Sequence, residues 1–301
     1  MTGTAPEAFL DPRLLGKIGD LSLLARVVVD GFVHGLHRSL RAGVSIDFAE
    51  HRPYQPGDDL RRIDWRVYGR TERFYMKTYE ADTNADVIFA LDASGSMDYG
   101  QESITKFDYA RFLVASLAWL AVRQGDRVGL VTVAGDLVDI VPPSSRHLNL
   151  LLHTMARAHA RGEGKIPDMM DRVGRLNGVR PGMIVLVSDC YEEPVELRRV
   201  LGGLRARGHD VLVFHVMDAA ERDLPWTTPG NFEDAETGAR MPLRPDELRQ
   251  EYRMLIDAHH RDLVREFGLA GIDYALVETD KPLDESLRTF LDRRLMGSRA
   301  R

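Results

Sequence analysis

The sequence predicts an α/β protein: a mainly parallel sheet flanked by helices, with a small N-terminal α+β segment packed on it. After residue 83, short apolar runs alternate with segments of helical spacing, a pattern typical of parallel sheets covered by helices. Charge divides at the same place. Residues 1–83 carry 12 basic and 12 acidic side chains, and residues 84–301 carry 28 and 34. We therefore expect two parts, residues 1–83 and residues 84–301.

The predicted elements of residues 84–301 follow one another in a regular alternation. The first strand is the apolar run Asp86–Leu91, and Phe107–Arg123 repeats apolar residues at helical spacing. Gly208 marks the end of a later helix, and crossovers between parallel strands should be right-handed. The other predicted strands are Arg127–Ala134, Met183–Ser188, Asp210–Val216 and Ile272–Glu278, and the other helices are His147–His159, one at Asp168, Val195–Arg207, Pro245–Phe267 and Asp284–Met296.

The first 83 residues do not follow that alternation. A helical stretch near Pro12–Val33 precedes two short strand candidates, Val44–Phe48 and Arg73–Tyr79, which flank the loop Arg52–Arg70. This segment is small and polar, so it would bury little apolar surface by itself. We expect it to pack onto the α/β body.

Composition excludes several classes of protein. The 301 residues are 44% apolar and 29% charged, which is ordinary for a globular protein. The net charge of 40 − 46 = −6 gives no case for a nucleic-acid partner or an anionic membrane. One cysteine excludes an intramolecular disulfide framework and fits a reducing cytoplasm. Because there is no signal-peptide pattern and no apolar run of roughly 20 residues, we expect a cytoplasmic protein without direct membrane insertion.

The chemistry-bearing motif is Asp92-Ala93-Ser94-Gly95-Ser96, at the end of the first predicted α/β strand. Asp189 follows another strand, and ligands of open α/β sheets bind outside the carboxyl ends of strands. Carboxylate and hydroxyl oxygens suit Mg²⁺ or Mn²⁺. Alternatively, the aspartate and serines cap the following helix. We name Asp92, Ser94, Ser96 and Asp189 the strand-end rim.

These residues resemble the metal-ion-dependent adhesion site of von Willebrand factor A domains, whose Rossmann-like sheet matches the predicted fold. The segment Arg52–Trp65 resembles the hallmark of a bacterial family catalogued as domain of unknown function fifty-eight, as do Phe232–Gly238 and the C-terminal residues from Asp273. The resemblance runs from about Gly31 to the C-terminus. Its most specific residues in the hallmark are Arg52, Tyr54, Pro56, Gly57, Asp58, Arg61, Asp64 and Trp65.

The resemblance implies an A-type domain encoded beside a MoxR-type AAA+ ATPase. In such domains the metal performs no chemistry, and its open coordination position accepts a carboxylate of a partner protein. One departure concerns the third loop, which usually supplies a threonine ligand and here reads Gly162-Glu163-Gly164-Lys165-Ile166. Either the rim binds Mg²⁺ or Mn²⁺ weakly with extra waters, or the Lys165 ammonium occupies the metal position and pairs with Asp92.

Six arginines lie within Arg52–Arg73 among four acidic residues. They form either a docking surface for an acidic partner or nucleic acid, or an internally neutralised, salt-bridged motif. The nearly balanced signs favour the second interpretation, because nucleic-acid footprints are usually unbalanced.

The sequence favours a non-enzymatic protein-binding module with no catalytic residues. By resemblance it would act with a MoxR-type AAA+ ATPase, as adaptor or co-chaperone for an unidentified client protein. The alternative is a metal-dependent hydrolase that uses Asp92 and Asp189. Gly162-x-Gly164-Lys165 lacks the spacing of a phosphate-binding loop, so the chain is not expected to be the ATPase. Cys190 is either a nucleophile or, as free cysteines more often are, a buried structural thiol.

Overall fold

The structure is a computed structural model that describes residues 11–40, 51–53, 75–77, 85–100, 104–176 and 180–299. Side chains are described outside 33–40, 51–53, 75–77 and 293–299. The chain divides into two compact units, one formed by Met1–Phe32 with Asn84–Arg301 and the other by Val33–Thr83. The second unit ends at Thr83, and the first 32 residues group with the residues from Asn84 onward.

The described start of the chain is helical, as the apolar spacing predicts. Helix α1 spans Pro12–Leu15 and α2 spans Leu21–Leu40. Asp20 begins α2 with its carboxylate accepting a 2.7 Å hydrogen bond from the Ser22 N–H, a helix-capping contact. The first part of α2 belongs to the body, where Arg123 reaches Asp30 at 3.0 Å. Its fully buried side chains are Leu24, Ala25, Val28 and Val29.

The smaller unit contains two short described strands. Strand β1, His51–Pro53, pairs antiparallel with β2, Tyr75–Lys77. Strand β2 lies inside the predicted strand Arg73–Tyr79. The candidate strand Val44–Phe48 lies outside the described residues.

The body contains a six-stranded sheet that confirms the predicted α/β class. Its central strand β3, Asp86–Asp92, is buried along its whole length, as expected for a parallel strand covered on both faces. A short 3₁₀ turn, Gly95–Asp98, follows, and α3 spans Lys106–Arg123. Helix α3 starts with a capping box in which Thr105 and Asp108 exchange side-chain and backbone hydrogen bonds.

The second half of the sheet contains one strand that the sequence analysis missed. Strand β4, Arg127–Ala134, turns at Gly135 into β5, Leu137–Ser144, and β5 pairs antiparallel with β4. Pro142 and Pro143 in β5 argue against a central strand. They are tolerated because β5 is at the sheet edge, where missing N–H donors leave no neighbour unpaired.

The remaining elements confirm the predicted alternation with boundary shifts of a few residues. The predicted helix at Asp168 begins at Ile166, and the last helix extends past the predicted Met296. Two further elements were not predicted: a short helix at residues 219–223 and a small hairpin at residues 230–243. In chain order they are α4 Leu148–Arg157, α5 Ile166–Leu176, β6 Met183–Ser188, α6 Pro194–Ala206, β7 Asp210–Met217, α7 Ala219–Asp223, β8 Gly230–Glu233, β9 Arg240–Leu243, α8 Pro245–Leu269, β10 Asp273–Glu278 and α9 Asp284–Arg299.

The order of the sheet is β10-β7-β6-β3-β4-β5. All neighbouring pairs are parallel except β4 with β5. Along the chain the order starts at β3, proceeds outward to β5, and then returns to the other side of β3 with β6. The strand order therefore reverses between β3 and β6, a topological switch point at which open sheets bind ligands. None of the described helices combines the length and apolarity that a membrane crossing requires.

Candidate functional site

The strand-end rim lies at this switch point. Leu91 of β3 is in register with Val187 of β6, so the carboxyl ends of the two strands lie side by side. Asp92 is the last residue of β3, and Asp189 follows the last residue of β6. Both aspartates are almost completely buried, at 5% and 4% exposure. The structure thus brings together the two acidic residues that the sequence analysis paired.

Asp92 is held by hydrogen bonds to both carboxylate oxygens. Its Oδ1 accepts from the Ser94 N–H at 2.9 Å and its Oδ2 accepts from the Ser188 hydroxyl at 2.6 Å. Burial, and after it the charge of Asp189, raises the pKa of Asp92 to about 6. The hydroxyls of Ser94 and Ser96 lie 2.9 Å apart. Asp92 therefore organises the loop that presents the two serines.

A lysine that the sequence analysis did not identify lies beside Asp189. The Lys106 Nζ is 2.8 Å from Oδ2 of Asp189 and 2.6 Å from Oε1 of Glu221, and its side chain is 0% exposed. The ring centroid of Tyr191 is 5.0 Å from the ammonium. Burial acts to lower the pKa of Lys106, but the charges of Asp189 and Glu221 outweigh it, so its pKa is raised and the ammonium stays charged.

Lys106 could have been suspected from one local signal. It is the first residue of α3, and a cation at a helix N-terminus opposes the helix dipole. An unfavourable local position of this kind is consistent with a tertiary partner. The partners themselves lie 83 and 115 positions away in the chain, a distance over which sequence spacing says nothing about contact.

Lys165 does not make the ion pair with Asp92 that was one of the two alternatives drawn from the sequence. It lines a cavity of about 700 Å³ together with Asp136 and Asp168, and the structure, which describes both residues, gives no ion pair between Lys165 and Asp92. Asp92 instead accepts from Ser94 and Ser188. The lysine at the rim is Lys106.

The third loop approaches the rim through its backbone. The Arg161 N–H donates to the Ala93 carbonyl at 2.9 Å, and the Gly95 N–H donates to the Gly162 carbonyl at 2.8 Å. A Cβ added to Gly164 would lie 2.6 Å from Cβ of Ser94, closer than any real side-chain contact. Gly164 is therefore required by the close approach of this loop to Ser94.

Glu192 occupies the space between the third loop and the rim. Its Oε1 accepts a 3.1 Å hydrogen bond from the Ile166 N–H at the start of α5. Burial raises the pKa of Glu192 to about 7, and the charges of Asp92 and Asp189 act in the same direction. A third carboxyl group thus lies close to the two aspartates. The sequence analysis did not single it out.

The residues of the rim do not fit a divalent cation as they are arranged. One Asp189 oxygen is bound by an ammonium, the Ser94 and Ser96 hydroxyls are hydrogen-bonded to each other, and the third loop contributes no side-chain oxygen at Gly164. Mg²⁺ demands a near-octahedral set of oxygens. Across the described residues, no three Asp, Glu, His or Cys side chains are grouped so as to hold a metal ion.

The turn between β8 and β9, residues 234–239, lies against the rim, and we call it the acidic turn. A Cβ on Gly95 would overlap the carbonyl oxygen of Ala235. The Glu236 carboxylate interacts with the Ser96 hydroxyl, and burial raises the pKa of Glu236. Residues 234–238 of this turn belong to the stretch Phe232–Gly238 that carries part of the family resemblance. Its position on the rim was not predicted.

Cys190 is enclosed next to the rim. Its side chain is fully buried, and burial, followed by the charges of Glu192 and Asp189, raises the pKa of its thiol well above the ordinary value. His259 contacts the Cys190 carbonyl at 2.8 Å. The thiol therefore matches the structural interpretation and has none of the features of an activated nucleophile.

Most of the hallmark residues lie outside the described part of the chain. Arg52 belongs to β1, but its side chain is not described. Tyr54, Pro56, Gly57, Asp58, Arg61, Asp64 and Trp65 fall in residues 54–74, so their expected roles stay predictions.

Comparisons with known proteins identify the family to which the sequence is similar. A family model, "Protein of unknown function DUF58", matches residues 50–262. The uncharacterized protein Rv1480 of Mycobacterium tuberculosis is 30% identical over 296 residues, which cover 96% of this chain and 92% of that protein. The uncharacterized protein YeaD of Bacillus subtilis is 23% identical over 174 residues, which cover 57% of this chain and 40% of that protein.

Among solved structures, the chain is similar to the conserved hypothetical protein BatB from Bacteroides thetaiotaomicron. The TM-score is 0.47 at 16% identity, covering 72% of this chain and 100% of that one. It is also similar to the SpRpn10 VWA domain, with a TM-score of 0.44 at 14% identity, covering 67% and 93% of the two chains.

Proposed function

Starting from the fact that this chain belongs to the DUF58 family of proteins of unknown function, we propose that it is a non-enzymatic protein-binding module. Its strand-end rim receives a segment of a partner protein. In this proposal the hydroxyls of Ser94 and Ser96 donate to an acidic side chain of the partner, while Asp92 and Asp189 hold the loops in place.

The observation that carries this proposal is the position of the acidic turn. Ala235 lies against Gly95, and the carboxylate of Glu236 interacts with the Ser96 hydroxyl. A turn that presents a carboxylate is therefore compatible in shape and chemistry with this side of the rim. A partner segment of the same kind would make the same contacts in its place.

The same geometry gives no support to the hydrolase alternative. A metal-dependent hydrolase needs carboxylates that are free to hold the ion or to take up a proton. Here the Lys106 ammonium already pairs with Asp189, one of the two carboxylates that the hydrolase would need for the ion. We therefore propose no catalytic role for the two aspartates.

The identity of the partner rests on the family resemblance alone. We propose a cytoplasmic MoxR-type AAA+ ATPase, with which the chain acts as adaptor or co-chaperone for a client protein. An acidic residue on the ATPase or on the client would be the group received by the rim.

The test is co-purification of the tagged full-length chain from its native cell, with nucleotide present, followed by mass spectrometry. Recovery of an AAA+ protein is the expected result, and repeated recovery of none would overturn the partnership. Ser96→Ala should weaken capture roughly tenfold, because it removes one hydrogen bond to a charged group. The control is Arg175→Gln on the exposed face of α5, which should capture the partner as well as the wild type does.

Activity measurements test the non-enzymatic part separately. The wild-type chain and Asp189→Asn are incubated with phosphoester and peptide substrates in Mg²⁺ and in Mn²⁺. We expect no turnover by either protein. Turnover by the wild type that is lost in Asp189→Asn would replace the binding module with the hydrolase.

A further inference from the structure

We propose that the ammonium of Lys106 is the resident cation of the strand-end rim, so that the rim is assembled without a divalent metal ion. The proposal concerns the interior of the site and is independent of which partner, if any, the rim receives. It also differs from the alternative drawn from the sequence, in which Lys165 of the third loop takes this place.

Lys106 is held between two carboxylates. Its Nζ lies 2.8 Å from Asp189 and 2.6 Å from Glu221, and its side chain is 0% exposed. The three residues come from three different elements: α3, the end of β6 and α7. Glu221 is itself held, because its other carboxylate oxygen accepts from the Asp218 N–H at 3.3 Å. The ammonium is therefore a fixed part of the site.

The Lys106 ammonium and a metal ion would compete for one oxygen of Asp189. Two positive charges close to a single carboxylate repel each other, and the repulsion is stronger in a buried site than in water. Oδ2 of Asp189 already accepts from Lys106. A divalent ion that used this oxygen would have to displace an ammonium whose side chain is 0% exposed.

The third loop provides no side-chain ligand at Gly164. At Gly164 the backbone approaches Ser94 so closely that even a Cβ would lie 2.6 Å from the Ser94 Cβ. This position can therefore offer no side-chain oxygen. A divalent ion would therefore have one ligand fewer on this side of the site, which weakens its binding. On the other side the Lys106 ammonium already supplies positive charge to Asp189.

Calorimetric titration of the full-length chain with MgCl₂ and with MnCl₂ tests the proposal directly. Thermal unfolding in excess Mg²⁺ and in EDTA is measured in parallel. We expect no saturable binding at the rim and the same Tm in both solutions. Saturable binding to the wild type that disappears in Asp189→Asn, or a Tm that rises in Mg²⁺, would overturn the proposal.

Lys106→Met removes the ammonium and keeps most of the side-chain volume. It should lower Tm by roughly 10 °C, because it leaves two buried carboxylates without their cation. Mg²⁺ or Mn²⁺ should then restore part of the loss, which neither ion does for the wild type. Identical Tm values for Lys106→Met in Mg²⁺ and in EDTA would overturn the claim that the two cations share one place.

The matched control is Lys165→Met, at the lysine that lies outside the rim. It should leave Tm unchanged and insensitive to both ions. A loss of Tm in Lys165→Met that equals the loss in Lys106→Met would assign the role to the wrong lysine and overturn the proposal. If Lys106→Met does not fold, the wild-type titration decides by itself.

Discussion

The Ser188 hydroxyl donates a 2.6 Å hydrogen bond to Oδ2 of Asp92 and so joins the ends of the neighbouring strands β6 and β3. The same hydroxyl accepts a 3.0 Å hydrogen bond from the Cys190 N–H. Cys190 has a φ of 52°, in the left-handed region that non-glycine residues rarely adopt. One serine therefore supports both the carboxylate of the rim and a strained turn.

Replacement of Ser188 by alanine should destabilise the protein by about 2–3 kcal/mol, because two buried polar groups lose their partner. Urea unfolding followed by circular dichroism measures this. Ser116→Ala is the control: Ser116 is equally buried, but its hydroxyl donates only to the Phe112 carbonyl in α3, so its loss should cost less than about 0.5 kcal/mol. Equal losses in the two variants would contradict the special role of Ser188.

Stability should fall as pH rises through the range in which Glu192 ionises. The pKa of Glu192 in the folded protein is about 7, against an ordinary value of 4.5. The folded state therefore holds this proton more tightly than the unfolded state, and stability decreases between about pH 4.5 and pH 7. The loss is at most about 3 kcal/mol, and Asp92, with its pKa of about 6, adds a loss of the same sign.

Glu192→Gln should remove the larger part of this dependence and raise stability at pH 8. The amide oxygen can still accept from the Ile166 N–H. Tm measured across the pH range for both proteins is the test. A steeper decline in the variant than in the wild type would show that the sign is wrong.

Two glycine substitutions distinguish the effect of a close contact between the third loop and Ser94 from the effect of helix propensity alone. Gly164→Ala should cost about 1–3 kcal/mol, because its Cβ would press against Ser94. Gly203→Ala, in the exposed face of α6 with nothing within 4 Å, should stabilise the protein by about 0.5–1 kcal/mol. Chemical denaturation of both variants gives the comparison, and a neutral Gly164→Ala would refute the tight contact at the rim.

The thiol of Cys190 should be inert in the folded protein. It is fully buried, and its raised pKa leaves almost no thiolate at neutral pH. Ellman's reagent should react with no thiol in native buffer and with one thiol in guanidinium chloride, since the chain contains one cysteine. Fast reaction of the native protein would instead indicate an accessible nucleophile.

The contact between the acidic turn and Gly95 can be broken from the rim side. Gly95→Ala introduces a Cβ that overlaps the Ala235 carbonyl, so the turn should move away and the amides of Gly230–Leu243 should exchange faster with deuterium. Gly230→Ala, in the same hairpin but with open space around it, should leave the exchange unchanged. Unchanged exchange in Gly95→Ala would mean that the turn does not rest on the rim.

Much of the α/β body could be predicted because its strands are short, apolar and bounded. The run from Asp86 is buried at every position, and burial of this kind leaves a continuous apolar segment in the sequence. The pairing of Asp92 with Asp189 was also predictable, since both follow such runs. Parallel strands bring their carboxyl ends to one edge of the sheet.

The remaining parts were not predictable because their stabilising contacts are distant or polar. Strands β8 and β9 are largely exposed, so they lack the apolar alternation that marks a strand. Lys106 finds Asp189 and Glu221 only through the folded topology. Lys165 was the candidate that the sequence offered, because it lies in the third loop. The structure instead pairs Lys106 with the carboxylates of Asp189 and Glu221.

In the proposed function, a partner segment takes the place of the acidic turn beside Ser96. Such a partner binds only the fraction of molecules in which the turn has lifted away. For any partner that needs this serine, the apparent dissociation constant is the intrinsic one divided by that fraction. The observed association rate then levels off, at high partner concentration, at the rate with which the turn opens. At high partner concentration, the rate of assembly would be set by the hairpin of this chain and not by the concentration of its partner.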